Sequence, residues 1–443
     1  MKTGRAGYIL QALNNAGFKA YIVGGCVRDM IMGREIHDVD IATDALPEET
    51  TGVFVGDKVI PTGIKHGTVT VIHSGESFEI TTLRRDGSYS DLRHPDSVIF
   101  TDDIEEDLSR RDFTVNAVAM DQDGRIYDPF GGRDDIERKL IRCVGDPIKR
   151  FSEDALRIMR AVRFASVLGF SIEKMTADAA LACRGDLAGI SAERKCSELM
   201  KLISGENCAP VMLKYREIIA EVIPELRSSF DFCQHSRYHK YDVYEHIVRS
   251  VDAVPSDDPD SALLRISMLL HDVAKPQMFC LDGSGRGHFK GHPEVGAVMA
   301  RDILKRLHFD GKTVETVYDL IGYHSVKIRN EADVKRLISQ LGVRKFHLLM
   351  KVKIADNSAK EDFVLAENSS IRRISEFAET LENTPDICLD LSRLNVNGCD
   401  IMELGFSGRQ IGECLRGLLD DVIEGKLPNE RDALLAAAKE MKI

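Results

Sequence analysis

The stretch Tyr21-Ile-Val-Gly-Gly-Cys-Val-Arg-Asp29, followed by Arg34-Glu-Ile-His-Asp-Val-Asp-Ile41, decides how this chain is read. An apolar run, Tyr21-Ile-Val23, breaks at Gly24-Gly25, and the residues from Cys26-Val-Arg28-Asp29 onward read as a helix. Backbone amides at such a glycine-rich strand-to-helix turn suit a phosphate. Further on, Asp38 and Asp40 stand one residue apart. Residues i and i+2 of a strand share a face, so both carboxylates are expected side by side, with Val39 turned to the other side. Two carboxylates on one sheet face make a platform for a divalent metal. A phosphate cradle beside them points to a nucleoside triphosphate held by Mg²⁺.

Composition sets the frame. A chain of 443 residues, 43% of them hydrophobic, is expected to hold several domains with substantial cores. No apolar stretch approaches the length of a membrane span, so no membrane partner is expected, and the stretch Lys2 to Asn14 reads as an amphipathic helix rather than a signal peptide. Ten cysteines, from Cys26 to Cys414, form no C-x-x-C pair, which argues against a zinc ribbon or a disulfide framework and for a cytoplasmic setting. A net charge of −12 excludes a protein that coats nucleic acid through bulk electrostatics, so any RNA contact must be local. The segment from Arg138 to Arg163 fits such a contact: Arg138, Lys139, Arg142, Lys149, Arg150, Arg157, Arg160 and Arg163 stand against Asp146, Glu153 and Asp154 alone.

The pattern divides the chain. Residues 1 to about 140 alternate β-type runs (20–23, 39–41, 67–72, 77–82 and 117–120) with turns, which predicts an α+β domain with a small sheet. After Asp128-Pro-Phe-Gly-Gly-Arg133 apolar residues recur at three and four spacing, and the remainder should be helical, with loops at 254–260 and 282–287.

Within the first domain Glu79 falls in a strand with Phe78 and Ile80 facing the other side, and is a third carboxylate for the platform. The run Arg110-Arg-Asp-Phe-Thr-Val-Asn-Ala117 offers guanidinium forks for phosphate and an aspartate for a ribose hydroxyl. In Glu153-Asp-Ala-Leu-Arg157-Ile-Met-Arg160-Ala-Val-Arg163, read as one helix, Asp154 and Arg157 are spaced i, i+3. An acceptor beside a donor fits the pairing edge of cytosine and of adenine, and opposes that of uracil and guanine. A routine helical ion pair is the alternative reading of the same spacing.

Together, Gly24-Gly-Cys-Val-Arg28-Asp29 with Asp38-Val-Asp40, Arg110-Arg-Asp-Phe-Thr-Val-Asn-Ala117, Asp128-Pro-Phe-Gly-Gly-Arg133, Glu153-Asp-Ala-Leu-Arg157 and Ile190-Ser-Ala-Glu-Arg194 resemble the bacterial class II CCA-adding tRNA nucleotidyltransferases. The resemblance is strong over residues 1 to about 205 and loose beyond. It implies a polymerase-β-like nucleotidyltransferase head with a small mixed β-sheet (1–140), an all-α neck that reads the base (141–205), a helical body (206–360) and a tRNA-binding tail (361–443). It further implies that Asp38 and Asp40, with Glu79 a weaker transfer, bind Mg²⁺. Gly25, Arg28 and Arg111 would meet the triphosphate and Asp112 would lie near the ribose. Asp154 and Arg157 would read the base of CTP and ATP at the tRNA 3′ end, with Arg160 and Arg163 completing the pocket. The same family holds poly(A) polymerases and enzymes that add only CC or only A. The run Leu83-Arg-Arg-Asp-Gly-Ser-Tyr-Ser-Asp-Leu-Arg-His-Pro-Asp96 matches the flexible loop that CC-only enzymes lack. The run Gly63-Ile-Lys-His-Gly-Thr-Val-Thr70, typical of the tRNA branch, and the tail-like run 394–409 stand against a poly(A) polymerase.

A second constellation lies in the body. In Leu264-Arg-Ile-Ser-Met-Leu-Leu-His-Asp-Val-Ala-Lys-Pro276 a His-Asp pair ends an apolar helical run, and imidazole with carboxylate is a ligand set for a divalent metal. The order His246, His271, Asp272, Asp356 resembles the HD phosphohydrolase superfamily, with His292 and His324 fitting a second metal. The rival reading is therefore a metal-dependent phosphohydrolase whose head only binds RNA.

Overall fold

The computed structural model describes residues 6–36, 38–64, 67–87, 97–382, 384 and 387–441. Residues 88–96 of the expected flexible loop at 83–96, parts of the 63–70 run and the first residues of the N-terminal helix lie outside them, while residues 84–86 of that loop form a strand. The chain forms two compact units, Met1–Pro224 and Glu225–Ile443.

In the first unit α1 (Gly7–Asn15) leads into β1 (Ala20–Val23), α2 (Gly25–Ile31), β2 (Asp40–Thr43), α3 (Pro47–Val53), β3 (Lys58–Gly63), β4 (Thr68–His73), β5 (Glu76–Thr82), β6 (Arg84–Asp86), β7 (Val98–Phe100), α4 (Ile104–Ser109), β8 (Ala119–Met120) and β9 (Ile126–Tyr127). Seven strands make one sheet in the order β3-β4-β5-β2-β1-β8-β9, and β2 runs parallel to β5 while the other pairs are antiparallel. The sheet is mixed, as expected, and larger than the apolar runs suggested, because β3 and β9 carry too few consecutive apolar residues to announce themselves. One face buries Ile22, Ile41, Phe78 and Ile80 against Ile9, Leu10 and Val27 of α1 and α2. The other buries Tyr21, Val23, Ala42 and Ala119 against Leu83, Leu108 and Val144. This two-sided burial explains why β1 is apolar at every position.

The helical remainder of this unit is α5 (Gly132–Glu137), α6 (Pro147–Glu153), α7 (Leu156–Leu168), α8 (Lys174–Ala182), α9 (Ala192–Ile203), α10 (Cys208–Lys214) and α11 (Arg216–Val222), with β10 (Leu140–Ile141) and β11 (Ser171–Ile172) as a small parallel pair. The second unit contains α12 (Val243–Asp252), α13 (Ser261–Leu270), α14 (His292–Arg306), α15 (Gly311–Tyr323), α16 (Glu331–Leu341), α17 (Val343–Ser358), α18 (Asp362–Leu365), α19 (Glu367–Glu382), α20 (Gly398–Glu403), α21 (Arg409–Ile423) and α22 (Arg431–Glu440). Its one described sheet is a hairpin of β12 (Cys280–Leu281) and β13 (Gly287–His288), so the expected loop at 282–287 is the turn of that hairpin and its first β13 residue. Among the described residues no helix is long and apolar enough to cross a membrane.

Two corrections concern the site. Strand β2 begins at Asp40, so Asp38 precedes the strand instead of sharing its pleat. The segment Glu153–Arg163 is not one helix either. Helix α6 ends at Glu153, Asp154 is extended (φ −143°, ψ 103°), and α7 starts at Leu156. The Asp154 carboxylate accepts from its own Leu156 N–H at 3.0 Å, a local bond that competes with helix continuation.

Candidate active site

A cleft of about 490 Å³ in the first unit is lined by Gly24, Gly25, Asp40, Asp112, Asn116, Asp154, Leu156, Phe164 and the arginines 28, 110, 111, 157, 160, 163 and 194. Seven guanidiniums against three carboxylates make it an anion site. Its floor is the β1–α2 turn. Gly24 sits at φ +77°, and a Cβ there would stand 2.9 Å from an Arg111 nitrogen, so only glycine lets the turn pass between Arg111 and Asp40.

Asp40 and Glu79 are register partners on the parallel β2–β5 ladder, while Phe78 and Ile80 point into the core. The Asp40 carboxyl is raised above the usual range. Loss of surrounding water is the main cause, the charges of Glu79 and Asp38 add to it, and Arg111 opposes them. Carboxylates that destabilise one another in this way suit a divalent cation.

Each arginine is aimed by a named acceptor. Arg28 is buried, forks onto Asp29 (3.0 Å at both nitrogens) and donates to Asn116 Oδ1 at 2.6 Å. Asn116 donates in turn to Asp112 Oδ1 at 3.0 Å. Asp112 also accepts from its neighbour Phe113 N at 2.8 Å and from Arg160 Nε at 2.7 Å and Nη2 at 2.6 Å. Burial pushes the Asp112 carboxyl up, but Arg160 and Asn116 outweigh it and hold the group at about 2. All four acceptor sites of this carboxylate are taken, so Asp112 aims Arg160 and, through Asn116, Arg28. The geometry leaves it no open site for the ribose contact expected from sequence.

Asp107, also buried, accepts from Arg110 at 2.7 Å and Arg111 at 3.2 Å. Arg157 donates to Glu153 Oε2 at 2.7 Å and to the carbonyls of Arg150 (3.1 Å) and Arg110 (3.0 Å). Asp154 takes Arg194 at 3.0 Å. Glu198 takes Arg163 at 2.8 Å, and the Phe164 ring lies under Arg28, Arg160 and Arg163. Asp154 and Arg157 thus meet in the cleft from two sides of a helix break. Sequence reasoning gave Arg110 only a share in the phosphate forks of its run and no role to Asn116 and Arg194, although all three stand in the quoted motifs, and missed Asp29, Asp107, Glu153, Glu198 and Phe164 as supports. Of these Asp107, three and four residues ahead of Arg110 and Arg111, and Glu153, four ahead of Arg157, carried a spacing signal.

The second unit gathers His246, His271, Asp272, His292, His324 and Asp356. The Nε2 atoms of His246 and His271 lie 3.2 Å apart, and those of His292 and His324 3.3 Å apart. Asp272 Oδ2 is 3.2 Å from His246 and 3.1 Å from His271, while its Oδ1 is 3.4 Å from His292 and 3.7 Å from His324. Asp356 Oδ1 is 3.1 Å from His246. Each Nδ1 faces a backbone carbonyl: Ala359 at 3.1 Å, Met268 at 2.7 Å, Phe289 at 2.6 Å and Ile321 at 2.7 Å, for His246, His271, His292 and His324 in turn. A carbonyl only accepts, so the proton sits on Nδ1 and each Nε2 turns its lone pair inward. Pairs of imidazole lone pairs about 3 Å apart around a shared buried carboxylate fit divalent cations, and the backbone carbonyls are the outer partners that such ligands use.

A family model described as a poly A polymerase head domain matches residues 20–142, one described as a probable RNA and SrmB- binding site of polymerase A matches 169–230, and an HD domain model matches 237–360. The CCA-adding enzyme of Levilactobacillus brevis is 35% identical over 432 residues, 97% of this chain and 96% of that one. The CCA-adding enzyme of Geobacillus thermodenitrificans is 54% identical over 204 residues, 46% of this chain, and the match spans 50% of its own length. In matches of the latter kind the chain spans about half the length of the curated relative. The crystal structure of the Bacillus stearothermophilus CCA-adding enzyme in complex with CTP superposes with a TM-score of 0.74 at 32% identity, covering 100% of this chain and 98% of that one. The fold and the family models define the class: a poly A polymerase-type head followed by an HD-containing helical region. Within that class, the chain belongs to the family of CCA-adding enzymes.

Proposed function

We propose that this chain adds C, C and A to tRNA 3′ ends from CTP and ATP without a nucleic-acid template. The observation that carries the reading is the arginine cleft, in which Asp40 stands at the phosphate-binding turn and Asp154 and Arg157 stand at the far wall. Arg28 and Arg111, with the amide of Gly25, hold the triphosphate. Asp112 aims Arg160 and Arg28, and Arg163 completes the wall. Asp154 accepts from the amino group of cytosine or adenine, and Arg157 donates to the adjacent ring nitrogen. Asp38 and Asp40, with Glu79 alongside, would hold Mg²⁺, which would supply charge neutralisation of the triphosphate and a lowered pKa for the tRNA 3′-hydroxyl. Residues 1–140 serve as head, 141–205 as neck, 206–360 as body and 361–443 as the tail that holds tRNA. The near full-length relative at 35% identity supports this reading over poly(A) synthesis.

The test is extension of a tRNA trimmed of its terminus, with Mg²⁺, CTP and ATP. Three added nucleotides in the order C, C, A are expected. A long A tail, or no extension, overturns the reading.

The converging imidazoles favour a second activity in the same chain. We propose that His246, His271, Asp272 and Asp356, with His292 and His324, hold divalent metal and that this centre hydrolyses phosphate esters. Opening of a 2′,3′-cyclic nucleotide to its 2′- or 3′-monophosphate in Mn²⁺, abolished by His271→Asn, is the expected result.

A further inference from the structure

The segment from Gln234 to Asp242 runs along the HD centre and has no part in the readings above. It is tied down at several points. Gln234 is buried, its amide donates to the Tyr241 carbonyl at 3.2 Å, and its Oε1 accepts from Lys275 at 2.9 Å. The Gly287 N–H donates to the His235 carbonyl at 2.9 Å, and a Cβ on Gly287 would lie 2.3 Å from the Gln234 carbonyl oxygen, so β13 presses directly on the segment. On its other side the Tyr238 carbonyl accepts from Glu361 N at 3.1 Å.

These ties fix His239. Its ring stands edge-on to that of His246, with centroids 4.9 Å apart at 86°. Its Nδ1 is buried and has no hydrogen-bond partner among the described residues. The charged groups acting on it are the Lys275 and Lys360 ammoniums and the Asp272 carboxylate, and the two ammonium groups lie 2.6 Å from Asp272 and Asp356, respectively. Each imidazole of the metal set spends its Nδ1 on a carbonyl, whereas that of His239 is kept back. Leaving a buried ring nitrogen unpaired is costly, and the cost is recovered when a ligand supplies the partner. With two ammonium groups and a metal set adjoining, the ligand that fits is an oxyanion with several acceptor oxygens, a phosphate ester.

We propose that His239 is a substrate-contacting residue of the HD centre, its ring N–H donating to a non-bridging oxygen of the bound phosphate ester. The assignment rests on the HD centre's holding metal, as proposed above.

The experiment uses the full chain loaded with Mn²⁺. Metal content is measured by elemental analysis, and binding of inorganic phosphate by paramagnetic broadening of its ³¹P resonance. His239→Phe keeps an edge-on ring but donates no hydrogen bond, and His239→Asn restores a donor. We expect both variants to carry as much Mn²⁺ as the parent, with phosphate binding roughly tenfold weaker in His239→Phe and largely recovered in His239→Asn. Equal phosphate affinity in the parent and His239→Phe overturns the assignment. Loss of Mn²⁺ from His239→Phe also overturns it, in favour of support for the ligand set. A parent chain that takes up no Mn²⁺ refutes the metal centre itself, an outcome separate from either of these.

Discussion

Replacing Asp112 by Asn tests whether the arginine cleft is held together by charge. The carboxyl is held at about 2 in the folded chain, against 3.8 for a free aspartate. That gap corresponds to about 2.5 kcal/mol of stabilisation. Because the folded value is the lower one, the contribution is complete above about pH 5, falls to roughly half at pH 3, and vanishes as the pH drops below the folded value. Asn keeps the shape but not the charge, and leaves Arg160 with Glu198, 3.9 Å away, and the charge of Asp154. The readout is hydrogen–deuterium exchange of peptides from α7, which carries Arg157, Arg160 and Arg163. It reports local opening without assuming that two units unfold together. At pH 7 the variant's α7 amides should open more easily by about 2.5 kcal/mol, about seventyfold in exchange rate, and the gap should shrink to roughly half at pH 3. A gap of the same size at both pH values would refute the electrostatic account and leave only lost hydrogen-bond geometry.

Asp40→Asn should lower tRNA extension by on the order of a thousandfold while CTP affinity stays within a few-fold, measured by single-turnover extension and by nucleotide titration. Gly24→Ala places a methyl 2.9 Å from an Arg111 nitrogen at a φ of +77°, and should weaken CTP binding by about tenfold or more; unchanged affinity would count against the turn as phosphate cradle. Glu153→Gln should loosen Arg157 and raise misincorporation of UTP, read from products on trimmed tRNA, with unaltered UTP rejection speaking against Arg157 as base reader. Mn²⁺ at about a hundred times its dissociation constant should stabilise the second unit by about 2.7 kcal/mol, and His271→Asn should remove most of the gain in thermal melts.

What the sequence made legible is what local spacing encodes. The Gly24-Gly25 turn, the arginines of 110–111 and 157–163, and the His271-Asp272 pair all announce themselves within a few residues; the turn and the arginines come together in the cleft of the first unit, and the His-Asp pair in the imidazole cluster of the second. Partners chosen across long separations do not. Glu198 reaches Arg163 from 35 residues away, and Arg28 meets Asn116 across 88. No periodicity connects such pairs. The break at Asp154 was hidden for a different reason: apolar spacing runs smoothly from Ala155 to Phe164, while one side-chain bond to the Leu156 amide decides where the helix starts. The orientation of the four imidazoles was equally hidden, since it depends on which carbonyls the helix ends expose.

The acids that aim the arginines have a consequence for how variation in this chain should be read. Asp29, Asp107, Glu153 and Glu198 do not line the cleft, yet each fixes a guanidinium that does. A saturation screen for nucleotide addition would therefore draw a footprint wider than the cavity, with a ring of intolerant acidic positions behind it. Reversing the sign of one of these positions should disarm the enzyme as surely as losing an arginine, without touching the space that the nucleotide fills.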